Sequence, residues 1–118
     1  MALGLYLSEE VKWSTDGAQL TLGSWEYKPP AAHDIPLQLN VEFEDNIPNP
    51  AKLGTLRSKA SGEPPMALGG AAYIAVRAAI RAARADAGEH GAFELDAPLT
   101  VEHIQQACVV SMDRFRVN

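Results

Sequence analysis

Between Ile35 and Phe43 the chain alternates strictly. Ile35, Leu37, Leu39, Val41 and Phe43 share one parity, while Gln38, Asn40, Glu42 and Glu44 share the other. A period of two marks a strand with one buried face, so the pattern predicts a β-strand here. Pro36 is compatible with a strand's edge or first position. Upstream, Thr15-Asp16-Gly17 is a turn signal and Leu20 and Leu22 alternate beyond it, which predicts a hairpin across residues 11–22. The stretch from Leu5 to Trp13 leaves two readings. Leu5, Leu7, Val11 and Trp13 fit strand parity, and Ser8-Glu9-Glu10 equally begins or ends a helical turn. After Gly23 the apolar phase moves to Trp25 and Tyr27, the mark of a bulge or break, and Pro29-Pro30 closes the run. Asn46 to Pro50 reads as a loop, and Leu53 to Lys59 as a short extended return.

From about Pro65 to Ala87 the period becomes helical. Tyr73, Val76, Ile80 and Ala83 fall on one face, and Arg77, Arg81 and Arg84 on another. Gly69 and Gly70 each weaken the helix by about 1 kcal/mol relative to alanine and permit close packing or close approach of a ligand. Gly88 supplies a C-terminal stop. Phe93-Glu94-Leu95 reads as a connector, and Thr100 caps a second helix from Val101 to about Val109. The expected fold class is α+β in one domain over residues 1–118: short strands and a hairpin in the N-terminal half, then a long Ala-rich helix and a short C-terminal helix.

Composition changes this picture in one respect. Hydrophobic residues make up 47% of the chain, but 19 of them are alanine, so the larger apolar residues supply only a modest core. That suits a piece that leans on neighbouring structure. The net charge of −5 is uneven: −6 over residues 1–50, +4 over 51–87 and −3 over 88–118. The overall sign argues against nucleic acid as the main partner. The basic middle is either a solvated arginine face or an attractor of an anionic phosphate. Cys108 is the single cysteine and has no internal partner, which points to a reducing, cytoplasmic setting. The arginines interrupt the Ala-rich run, so no membrane span is expected.

Directly before the helix lies Ser58-Lys59-Ala60-Ser61-Gly62-Glu63-Pro64-Pro65. Glu63 sits between a glycine that lets backbone come close to a ligand and a stiff proline pair. A carboxylate placed so serves as a general base, or it is a plain acidic residue favoured by the helix dipole, with Ser61 as N-cap.

The longer string from Leu56 to Pro65 resembles the C-terminal part of the molybdopterin-binding region in the molybdenum hydroxylases, the xanthine dehydrogenase and aldehyde oxidase family. Gly4-Leu5-Tyr6, Ser8-Glu9-Glu10, Trp25 to Pro30, Asp34-Ile35-Pro36 and Asn40-Val41 carry the same resemblance upstream. Ala78 to Arg84, Leu95 to Pro98 and Ile104 to Cys108 carry it downstream. The resemblance implies that Glu63 is the active-site base and that Ala60, Ser61 and Gly62 lie against the molybdopterin cofactor. It assigns Lys59 no ligand contact. It implies oxidative hydroxylation of an aldehyde or a purine-type N-heterocycle, with water as the oxygen source. Two 2Fe-2S clusters and FAD are expected elsewhere in the parent chain, and no cofactor in this chain alone. The chain then reads as a fragment, inactive alone, whose partner is the remainder of the hydroxylase. A free-standing binding protein and one subunit of a split hydroxylase are the alternatives. Met66-Ala67 and Ala71 are smaller than the residues usual at those places. The thin core and exposed helix face predict a homo-oligomer.

Other residues carry less. His33, His90 and His103 have no metal-ligand spacing, and no metal ligand is expected in the chain. Cys108 reads as a small packed residue. Ser61 has no partners for nucleophilic catalysis. Gly69-Gly70 lacks the phosphate-loop pattern, and Trp13, Trp25 and Tyr27 read as packing aromatics.

Overall fold

The computed structural model describes residues 1–45 and 53–109; the expected loop from Asn46 to Pro50 lies outside them. Three α-helices carry the described chain: α1 (Ala2–Leu7), α2 (Glu63–Asp86) and α3 (Val101–Ala107). Two single 3-10 turns, Ala32–Asp34 and Thr55–Arg57, punctuate the remainder.

The α+β expectation is corrected, because no strand occurs among the described residues. The hairpin is reduced to one antiparallel bridge between Trp13 and Gln19. Leu20 N–H donates to Lys12 C=O at 2.8 Å and Ser14 N–H to Ala18 C=O at 2.8 Å. Gly17, at φ 85°, turns the chain between them. The pairing then stops, since Leu22 and Trp25 turn outward to solvent. The alternating stretch from Ile35 to Phe43 bonds to no neighbouring strand, and its apolar parity is exposed, with Leu37 and Phe43 open to water. Alternation marks a stretch able to form a strand. A strand also needs a second backbone to take its N–H and C=O groups, and the described chain brings none alongside. Leu53 to Lys59 is likewise not extended throughout, because Thr55–Arg57 closes a turn in which Leu56 adopts φ 51°.

The open reading of residues 5–13 resolves as a helix end, with α1 stopping at Leu7 and Ser8 as its C-cap. The long helix matches its pattern. The Tyr73, Val76, Ile80 and Ala83 face turns inward, with Ile80 fully buried. Gly88 takes φ 86° just beyond the end. Glu89 N–H reaches back to Arg84 C=O at 2.8 Å and Gly88 N–H to Ala85 C=O at 3.0 Å, a Schellman closure. At the other end Gly62, not Ser61, is the N-cap, and no side chain caps the helix. Thr100 does cap α3, its oxygen accepting from His103 N–H at 3.4 Å.

The core sits where α1 crosses α2. A Cβ on Gly69 would lie 2.5 Å from Ala2 Cβ and 3.2 Å from its carbonyl carbon, so only glycine permits this approach. Next to it the Tyr6 and Tyr73 rings meet at 6.2 Å between centroids, tilted by 52°. Leu99 N–H donates to Tyr6 C=O at 2.7 Å, and Tyr73 O–H donates to Leu95 C=O at 2.5 Å. Leu99, fully buried, closes the cluster, following a cis Ala97–Pro98 bond.

Ile80 and Leu99 are the buried hydrophobic side chains among the described residues. The chain exposes 10263 Å², against roughly 6,200 Å² for a self-contained globule of its mass. Its radius of gyration is 19.5 Å, where about 13 Å is usual for this length. The expectation of a piece that leans on other structure therefore holds. α2 has 24 residues and a mean hydropathy of 1.2 over its most apolar 18-residue stretch, enough by length and composition alone to cross a membrane. This corrects the expectation that its arginines make the apolar run too short. Helices packed inside large proteins have the same length and composition, and α2 already has α1 on one side.

The glycine crossing gives a direct test. Gly69→Ala should strengthen α2 by about 1 kcal/mol in isolation yet push α1 off it. Hydrogen exchange at the Leu99 amide, which is protected by Tyr6 C=O, is expected to accelerate while far-UV helicity is retained. Unchanged protection at Leu99 would show that α1 is held elsewhere.

Candidate functional site

Glu63 is the first residue of α2, followed at once by Pro64 and Pro65. The prolines suit this place, because the first N–H groups of a helix have no intrahelical acceptor to lose. The turn before it is tight: Ser58 N–H and Ser58 O–H both donate to Thr55 C=O, at 3.0 and 2.6 Å. Gly54, at φ 92°, admits the Ser58 carbonyl where a Cβ would stand. Lys59, Ala60, Ser61 and Gly62 then run exposed into the helix. Glu63 is itself exposed and has no hydrogen bond or ion pair among the described residues. The four residues expected at the site are therefore contiguous, on a braced support, and open to whatever faces them.

The titrating groups held by partners lie elsewhere. Tyr27 O–H donates to Glu9 Oε1 at 2.8 Å, and that bond to a carboxylate raises the phenol above its ordinary range. Lys12 is also raised, through its bond and attraction to Glu10, whose Oε2 lies 3.1 Å from Nζ. Glu10 Oε1 is in turn 3.8 Å from His103 Nε2, while His103 Nδ1 bonds Pro98 C=O at 2.8 Å. Nothing in the sequence places Glu10 opposite His103, since the two are 93 positions apart. Asp16 is lowered, chiefly because Ser14 O–H donates to its carboxylate. His33 and His90 are exposed, Cys108 is a half-buried free thiol, and Ser61 makes no side-chain hydrogen bond among the described residues. No group of three or more His, Cys, Asp or Glu able to hold a metal ion occurs among the described residues.

A further feature was not foreseen. A cavity of about 650 Å³ lies between the C-terminal half of α2 and residues 89–93. Arg77 and Arg84 each set a guanidinium over the Phe93 ring, at 5.3 and 4.9 Å from its centroid. Phe93 had been read only as part of a connector, and nothing in its neighbours signals two cations.

No family model matches the chain, but individual proteins do. It is 43% identical over 110 residues to the xanthine dehydrogenase/oxidase of Mus musculus, covering 91% of this chain and 8% of the mouse protein. It is 41% identical over 119 residues to the xanthine dehydrogenase of Oryza sativa subsp. japonica, covering 95% of this chain and 8% of the rice protein. It is 36% identical over 113 residues to the indole-3-acetaldehyde oxidase of Zea mays, covering 90% and 8%. The chain belongs to the xanthine dehydrogenase and aldehyde oxidase family. It spans about 8% of the length of these relatives, all of them oxidoreductases by name, so it corresponds to a fragment of such an enzyme.

The molybdopterin implied for this family finds no enclosure among these residues. Ala60, Ser61, Gly62 and Glu63 are exposed, and a Cβ on Gly62 would meet nothing within 4 Å. The cavity lies toward the other end of α2. The described residues alone do not fit the group; they offer one wall.

The Asp16 turn carries a pH dependence of known sign. A depressed carboxyl contributes stability that is present above its ordinary value of 3.8 and is lost as pH falls through the folded value. Ser14→Ala should bring Asp16 back toward 3.8, read by NMR titration of its carboxyl carbon. No upward movement in that variant would rule out the Ser14 bond as the cause.

Proposed function

We propose that this chain supplies the general-base glutamate of a molybdenum-dependent hydroxylase acting on aldehydes or N-heterocycles. Glu63 is the base, and Ala60, Ser61 and Gly62 lie along the cofactor when the rest of the enzyme closes over them. The observation that carries the reading is the state of Glu63: a carboxylate free of partners among the described residues, at a fixed helix end, within the Gly-Glu-Pro-Pro string. A base must accept a proton within hydrogen-bond reach of the reacting group, and a carboxylate tied up by its own chain would serve poorly. The helix sets direction. Glu63 cannot swing with a loose loop, because Pro64 and Pro65 fix the backbone that follows. Ser61 and Gly62 present little bulk, so a planar ligand can approach the backbone beside the carboxylate.

The same exposure argues that the chain alone is inactive. Glu63 is exposed, and the cavity described above lies toward the other end of α2. The partner is the remainder of the hydroxylase, which would cover the surface left open around α2 and along residues 35–43.

Two experiments test this. In the full-length enzyme, Glu63→Gln should lower turnover by roughly 10²–10⁴-fold with molybdenum and pterin content unchanged. A loss of only a few-fold would remove Glu63 from the role. The purified 118-residue chain should contain no stoichiometric molybdenum or pterin and should self-associate through its exposed apolar surface. Metal analysis and light scattering over a concentration series check both, and a cofactor-loaded monomer would overturn the reading.

A further inference from the structure

We infer that the cavity beside Phe93 is a binding site for a small oxyanion, a phosphate or a phosphate ester, separate from the Glu63 site. Arg77, Arg81 and Arg84 stand at spacings of four and three, so they share one face of α2 within about 10 Å of helix axis. Such guanidinium groups repel one another. None of the three makes an ion pair among the described residues, and Glu89 is the single carboxylate lining the cavity. Three guanidinium groups against one carboxylate leave the wall an excess of positive charge.

The guanidinium planes are already arranged. Phe93 takes the faces of Arg77 and Arg84 by cation–π contact, which leaves their N–H edges to hydrogen-bond. One edge of Arg84 is used, donating to Ala107 C=O at 3.0 Å, and its buried Nε has no acceptor. Arg77 and Arg81 make no hydrogen bond to the protein among the described residues. Forked donors held by an aromatic ring suit a tetrahedral or planar oxyanion. The volume of about 650 Å³ admits an organic body as well as the anion, against Ile74 and Ala78. Arg77 and Arg84 lie 14 and 21 residues from Glu63, roughly 20 and 30 Å along the helix, so one small ligand does not serve both sites.

The test titrates inorganic phosphate and pyrophosphate by calorimetry, at low ionic strength, into the 118-residue chain and the full-length enzyme. One saturable site per chain is expected in both. Arg81→Gln should weaken it roughly tenfold, Glu89→Gln should tighten it, and Lys28→Gln, exposed and not part of the cavity lining, should leave it unchanged. Arg81 is exposed and bonds nothing among the described residues, and circular dichroism verifies that α2 persists in its variant. Saturable, Arg81-dependent binding in the full-length enzyme supports the site whatever the isolated chain does. Non-saturable binding, or equal effects of Arg81→Gln and Lys28→Gln, overturns it. So does absence of binding in the full-length enzyme, where a protein carboxylate would then fill the pocket.

Discussion

The structure depends on the approach of α1 to α2 at Gly69. Without a side chain there, the two backbones come close enough for Tyr6 to reach Tyr73, and for the Tyr6 carbonyl to receive Leu99 N–H. That single crossing joins the first residues of the chain, its central helix and the segment leading to α3. Buried area is scarce elsewhere among the described residues. The position and direction of α2, and with them the placement of Glu63, are inherited from this contact.

The local signals proved the most legible. The 3.6-residue period from Tyr73 to Ala83, the glycine after the helix and the threonine before α3 depend on residues within a turn or two of each other, and each appears where its chemistry puts it. The period-two signal from Ile35 to Phe43 misled because it has a different meaning. It records what one face of a segment wants to touch, while a strand is completed by a partner that the pattern does not name. The same limit explains why the Phe93 cavity was invisible: it requires Arg77, Arg84 and a connector to converge through the turn at Gly88. Glu63 was legible as a residue through its neighbours in sequence. Its surroundings were not, since the described chain provides so few of them.

The openness of the molecule and its family membership are consistent with one another. The segment covers about 8% of its relatives' length and leaves large apolar side chains exposed, Trp25, Leu37 and Phe43 among them. Within such a segment, what retains definition is the part whose partners lie in the segment itself.

The proline pair at the start of α2 also limits what that helix end can offer. Of the four N–H groups that a helix normally leaves free at its N-terminus, those at positions 64 and 65 do not exist. Gly62 and Glu63 keep theirs. The helix end therefore has half the usual capacity to hydrogen-bond an anion, its own carboxylate included. An anion at this end of α2 finds its remaining hydrogen-bond donors outside the helix.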